Sequence, residues 1–435
     1  MSKNYRWQDR EPVRIPITQL TDQQRHRLID SEHFCMMPWT HIHGWPDGKA
    51  FPCCLGEDKH PIGDLKQHTM QEIWNQDAMR EMRRNMLADQ PCKQCTRCRE
   101  QESAGFASMR NSSNKHFGHH IGDVDLTRPD GTHPEMHIRY WDVRFSNICN
   151  LKCRSCGSIF SSRWHDDDVK LNGRAWRARV QFAGRDQDDI WTQMEPHIPR
   201  MEQIYFAGGE PLIMEEHTRI LERLIETGNT GLKLIYNTNL TELKYKRKSV
   251  LELWKHFKNV CVAASLDDSH ARASVIRSGT DWAVVEQNIR DLKRECPHID
   301  FMISPTLSVM NIWNFVPFHR YMIEQGFIKP GDFNLNILQS PTEYRIDILP
   351  QPIKQRFADE FQAHIDWLKP QDTMGRAWGG FEGAVRFMLA QDRTDRLPDF
   401  WRTASDLDWS RNERITDAVP ELLELIEYKP EGCRV

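Results

Sequence analysis

Three cysteines, Cys149, Cys153 and Cys156, stand at the spacing C-x3-C-x2-C within one short run. Three thiolates on one loop can ligate three irons of a cubane cluster and leave the fourth iron open to an outside ligand. A structural zinc asks for four ligands, so a zinc knuckle completed by a distant Cys or His is the competing reading of the spacing alone. Six more cysteines precede this loop, at Cys35, Cys53, Cys54, Cys92, Cys95 and Cys98, and Cys261, Cys296 and Cys433 are scattered. Twelve Cys in 435 residues fall well below the ~8–10% of a disulfide scaffold. Clusters of this kind in a reducing compartment point to metal binding or catalysis. Downstream, Gly208, Gly209, Glu210 and Pro211 close an apolar run that begins at Ile204. The glycines let backbone approach a ligand closely, and Glu210 offers a carboxylate to an ammonium.

The elements that must position these residues follow from periodicity. Strand-like runs fall at 137–145, 203–207, 232–237, 260–266, 301–307 and 333–338, with helical patterns at 215–226, 246–257, 282–295 and 314–325 between them. Strands separated by helices imply parallel βαβ units. The expected fold is therefore α/β: a partial parallel (β/α)6 TIM-like barrel at 138–345. A small cysteine-rich module at 1–100 and a linker at 101–137, rich in Gly, Ser, Asn and His, precede it. A helical C-terminal region at 346–435 follows. The cysteine loop then lies at the C-terminal end of the first barrel strand, where barrel enzymes place their chemistry. In the N-terminal module, Pro46-Asp47-Gly48 predicts a hairpin and the spacing over 69–87 predicts a helix. Cys261 in the run VCVAA reads as packed core. The tryptophans of 157–200 and 352–435 read mainly as packing, with a wall for a flat or peptide substrate as the functional alternative.

The cysteine loop and the glycine-rich strand end together resemble the radical S-adenosylmethionine (SAM) superfamily over most of 138–340. The resemblance implies a 4Fe–4S cluster on Cys149, Cys153 and Cys156. It implies that the backbone of Gly208, Gly209 and Pro211, with Glu210, holds the methionyl amino group. Asn237 and Asn239 would touch the nucleoside, Ser265 and Asp267 the ribose, and Ser304 and Asn311 ribose, carboxylate or adenine. Ser155 stands where the family usually has an aromatic residue. Cys35-x17-Cys53, the PDGK turn, Ile62-Gly63-Asp64-Leu65, Glu72-Ile73-Trp74 and Cys92-x2-Cys95-x2-Cys98 look like a SPASM or twitch auxiliary-cluster domain, here ahead of the barrel. Two fully cysteine-ligated cubanes need eight cysteines, so six imply one auxiliary 4Fe–4S cluster, with ligands among Cys35, Cys53, Cys92, Cys95 and Cys98. Cys54 is then a spare thiol, and Cys433 either a mobile thiol or a late ligand. A zinc site that adds His41 or His43 is the alternative for this module.

The implied activity is reductive cleavage of SAM to a 5′-deoxyadenosyl radical that abstracts a substrate hydrogen. A peptide or protein side chain leads as substrate, and a small molecule such as an amino sugar or amino alcohol is second. A zinc-stabilised, non-catalytic binding protein is the reading from another class. The electron donor would be a flavodoxin or ferredoxin. The 34 residues before Cys35 are too few for a separate leader-binding domain. Lys plus Arg number 58 against 62 Asp plus Glu, a net charge of −4, which leaves no clear nucleic-acid footprint. No apolar run approaches the ~18 residues of a spanning helix, and the charged N-terminus lacks the apolar core of a secretory signal. A cytoplasmic protein is expected.

Overall fold

The computed structural model describes residues 15–103 and 107–434. Most of the segment read for a secretory signal lies outside these residues. In the N-terminal module the expected hairpin forms. Strand β1 (His43–Gly44) pairs antiparallel with β2 (Lys49–Phe51), which pairs with β3 (Gly63–Asp64). Gly48 turns it at φ 97°, a conformation that a side chain resists. The predicted helix over 69–87 divides into one turn, Met70–Ile73, and α1 (Asp77–Leu87). The break comes at Asn75, whose amide donates to the His133 carbonyl at 2.9 Å and accepts the His133 N–H at 2.9 Å. Across the break, the fully buried Arg83 donates to the carbonyls of Pro38, Trp74 and Gly131 and stacks on Trp74. Burial pushes its pKa down to about 9, and the carbonyls satisfy the charge that remains.

The expected linker at 101–137 is largely ordered onto the module. Helix α2 (Thr96–Ser103) grows out of the CKQC turn and crosses the boundary drawn at residue 100. Helix α3 (Met109–Phe117) starts on a capping box between Ser108 and Asn111. Its polar residues are spent inward, which is why the segment shows little periodicity. Asn114, for example, accepts the Met36 N–H at 3.0 Å and donates to the Phe34 carbonyl at 3.1 Å.

The barrel sheet runs β4 (Tyr140–Val143), β5 (Gln203–Phe206), β6 (Lys233–Thr238), β7 (Asn259–Ala264) and β8 (Asp300–Ile303), all parallel and adjacent in sequence order. The sixth expected strand is reduced to a parallel bridge between Ile303 and Phe333 and a two-residue pairing of Thr306–Leu307 with Asn336–Ile337. Helices α4 (Glu215–Glu226), α5 (Trp282–Glu295) and α6 (Phe315–Glu324) cover the outside. The second predicted helix, at 246–257, shrinks to Val250–Trp254 behind a hairpin pairing Lys244–Tyr245 with Lys248–Ser249. Ion pairs from Lys246 to Glu215 and from Lys248 to Glu222 hold that hairpin against α4. Tyr205, Ile235, Cys261, Ala263 and Met302 pack together along alternate positions of the strands, so Cys261 is core as expected. The C-terminal region is helical: α7 (Gln351–Leu368), α8 (Arg376–Ala390) and α9 (Leu397–Arg411). Among the described residues, no helix is long and apolar enough to cross a membrane.

Candidate active site

The loop after β4 carries Cys149, Cys153 and Cys156, and three contacts shape it. Leu151 N–H points at the Cys149 sulfur at 3.5 Å. Lys152–Cys153 pairs antiparallel with Arg277–Ser278. Arg277 Nη1 donates toward the Cys153 sulfur at 3.8 Å. Burial raises all three thiols, Cys156 to about 12, and the neighbouring thiols raise Cys149 and Cys156 further, while Arg277 lowers Cys153. Three converging thiols that resist ionisation alone, beside an N–H and a guanidinium aimed at sulfur, fit a cationic iron cluster, whose charge makes the thiolates stable.

The Gly208–Glu210 turn lies directly against this loop. A Cβ on Gly209 (φ 21°) would sit 2.1 Å from the Ile148 carbonyl oxygen, and one on Gly208 (φ 83°) 3.0 Å from Arg144. The first close approach these glycines permit is thus to the cysteine loop itself. Glu210 N–H donates to the Ile148 carbonyl at 2.8 Å. We expect Gly209→Ala to push the loop out of place, and iron analysis of the reconstituted variant should find the barrel share of the iron depleted.

Glu210 is buried and already occupied by three donors. Oε1 accepts from Thr238 Oγ1 at 2.7 Å and from Leu212 N–H at 3.1 Å, while Oε2 accepts from Asn239 N–H at 2.7 Å. It caps the turn that begins at Pro211 and ties β5 to β6. Burial raises its pKa to about 7 against those three bonds. A carboxylate has about four acceptor sites, and three are filled here.

The remaining predicted residues divide into two groups. Asn239 donates to Asn150 Oδ1 at 2.9 Å and accepts from Thr241, which secures the cysteine loop. Asp267 grips Arg277 with both oxygens, at 2.8 and 3.0 Å, and accepts Thr306 N–H. Asn311 donates to the carbonyls of Asp267 and Thr306 and accepts twice from Ser308, so its whole amide is spent on the fold. All three bond to the frame. Asn237 and Ser265, at the ends of β6 and β7, make no side-chain hydrogen bond among the described residues. Ser304 Oγ accepts from Asn334 and Asn336 and keeps its own proton to donate.

In the N-terminal module, Cys35, Cys53, Cys92, Cys95 and Cys98 line one cavity with Met37, Met82, Met109 and Arg110. Burial lifts Cys35 to about 12 and Cys53 well above the ordinary range, while Cys95 is raised first by the adjoining Cys92. The close-set trio of ligand atoms among the described residues, all within 4.8 Å of one another, consists of histidines and a carboxylate rather than cysteines. Cys54 is absent from the cavity wall, and it bears on Cys53 as well as on Tyr140 and Arg144 of the barrel side. Cys433 lies near α9, where Arg434 meets Asp406 and covers Trp409. His41 and His43 turn to the barrel rather than to the cysteines: His41 Nδ1 meets the Tyr140 carbonyl at 2.8 Å and His43 Nδ1 meets Asp142 at 3.0 Å.

Sequence reasoning missed two arginines. Arg277 is the cation beside Cys153, 124 residues away in sequence. Arg154, inside the motif, is fully buried and reaches Asp408 and Glu413, so the C-terminal region anchors the cysteine loop. The signal available for Arg154 was a charged residue placed between two ligand cysteines.

Residues 143–310 match the radical SAM superfamily. Residues 35–99 match SPASM, an iron–sulfur cluster-binding domain. No curated protein matches the chain. Among solved structures, native anSMEcpe with bound AdoMet is 17% identical, covering 53% of this chain and 62% of that one at a TM-score of 0.39. Streptococcus suis SuiB bound to its precursor peptide SuiA is 13% identical, covering 63% and 59% at 0.36. The chain spans about three fifths of the length of these two structures.

Proposed function

The chain carries a radical SAM domain and, ahead of it, a SPASM iron–sulfur domain, and from that premise we propose that it cleaves SAM reductively and uses the resulting radical to modify a peptide or protein side chain. The observation that carries the reading is the packing of the Gly208–Glu210 turn onto the Cys149–Cys156 loop, with Arg277 behind Cys153. Cys149, Cys153 and Cys156 would hold the cluster, which would supply the electron for reductive cleavage of the sulfonium and so the radical chemistry.

The chain's own residues orient the ligand. The open acceptor site on Glu210 Oε2 takes the methionyl ammonium, while Asn237, Ser265 and Ser304 hold the nucleoside end. Asn239, Asp267 and Asn311 keep the loop and Arg277 in place. Cys35, Cys53, Cys92 and Cys95 or Cys98 would hold an auxiliary cluster, which would supply electron relay or a hold on the substrate. A cytoplasmic site and a flavodoxin or ferredoxin donor belong to the same reading. SPASM-type modules commonly serve peptide-modifying enzymes, which favours a peptidyl substrate over a small molecule.

The test is anaerobic reconstitution with iron and sulfide, followed by SAM and dithionite. Appearance of 5′-deoxyadenosine supports the reading, while a zinc-loaded protein without cleavage returns the chain to the scaffold class. The pH dependence is a sharper check. Glu210 is neutral below about pH 7 and charged above it, and an α-amino group loses its charge near ~7.7–8.0. SAM affinity should therefore rise through pH 7 and fall again above about 8, and Glu210→Gln should flatten the rising limb. Binding isotherms measured from pH 6 to 9 would show either shape.

A further inference from the structure

Outside the two cysteine sites, His119, His120 and Glu202 bring three ligand atoms within 4.8 Å of one another. We propose that they form a structural site for one divalent transition-metal ion, zinc by preference, which fastens the segment after the SPASM module to the floor of the barrel.

The geometry is built from two rigid parts. His119 and His120 end a 3-10 turn, Gly118–His120, that directly follows α3. Glu202 sits at the entry to β5, where its N–H donates to the Arg139 carbonyl and its own carbonyl accepts Lys233 N–H, both at 2.9 Å. Its carboxylate is thereby fixed at the N-terminal ends of three adjacent strands. His119 Nε2 meets Glu202 Oε2 at 3.0 Å, and His120 Nε2 meets Oε1. The side chains are 24%, 17% and 20% exposed, so an ion has a path in and a water can complete the shell. Two imidazole nitrogens and one carboxylate oxygen form a known zinc donor set, with bonds near 2.0–2.2 Å, and imidazole suits zinc, nickel and copper ahead of magnesium or calcium.

Two further observations favour an ion over a plain ion pair. The buried His119 Nδ1 has no hydrogen-bond partner, so contacts through that nitrogen do not hold the ring in place. Two imidazoles also converge on one carboxylate, with ring centroids 4.0 Å apart; a central cation would take a lone pair from each Nε2 and from a carboxylate oxygen. The site lies at the end of the sheet opposite the cysteine loop, so its role is architectural. Because α3 bonds to Phe34 and Met36 next to Cys35, an ion here would hold the auxiliary module against the barrel.

The experiment uses tag-free protein with its clusters loaded, incubated with zinc sulfate, desalted, and analysed for zinc and iron. One zinc per chain beyond the iron is expected, together with a rise in melting temperature on zinc addition. His119→Gln/His120→Gln and, separately, Glu202→Gln should lose both effects and keep their iron. If the double variant does not fold, His120→Gln alone carries the test. Wild-type protein that retains no zinc, or variants that retain as much as wild type, would overturn the proposal.

Discussion

Replacing Cys149, Cys153 and Cys156 together by Ala should abolish formation of 5′-deoxyadenosine, and should do so without unfolding the chain. The loop is held by contacts that do not involve the thiols. Arg154 is tied to Asp408 and Glu413, Asn150 is bonded to Asn239 and Thr241, and Ser161 Oγ donates to the Leu151 carbonyl at 2.6 Å. Removing three thiols therefore removes the ligands and leaves the frame. It also removes groups that burial keeps protonated in the absence of metal, so the metal-free variant loses no ionised partner of Arg277; Asp267 still neutralises it. Near-unchanged circular dichroism with cleavage at background is the expected pair of results. Cleavage at the wild-type rate would sink the assignment of the loop.

Much of this site was legible because its parts are local. C-x3-C-x2-C and the GGEP turn are each read within about ten residues, and the first five barrel strands and helices α4 and α5 lie where periodicity puts them. What could not be read is what depends on sequence-distant partners. Arg277 becomes a neighbour of Cys153 only through a two-residue antiparallel pairing. The family resemblance points Asp267 and Asn311 at the ligand. In the fold they turn to Arg277 and to the backbone of Asp267 and Thr306. The segment 101–137 reads as a linker because Gly, Ser, Asn and His dominate it, yet the Asn114 amide and the Thr127 hydroxyl bond it to the module. Periodicity reports apolar burial and is silent about burial of this polar kind.

The second large effect concerns the auxiliary module, and its argument begins from a count. Five thiols wall one cavity, a cubane takes four, and Cys54 and Cys433 lie elsewhere. Fully reconstituted protein should then hold roughly eight irons, four at each site, and the triple Ala variant of the barrel loop should keep about half. Cys35 and Cys53 come from opposite sides of the hairpin, whereas Cys92, Cys95 and Cys98 share the CKQCTRC turn. Loss of Cys35 and Cys53 leaves only the three thiols of that turn, one short of the four that close a fully cysteine-ligated cubane. Replacing both by Ala should remove the auxiliary iron and spare uncoupled cleavage of SAM, because the barrel loop carries that step on its own. Modification of the true substrate should fall much further than uncoupled cleavage does, since a radical formed without the auxiliary cluster has no partner to take up an electron or hold the substrate. Cys54→Ala is the internal control: it stands next to Cys53 in sequence but off the cavity wall, so its iron should match wild type. Iron near twelve per chain, or a Cys54→Ala variant as depleted as the Cys35/Cys53 pair, would mean that the module holds a second auxiliary cluster and that Cys54 is one of its ligands.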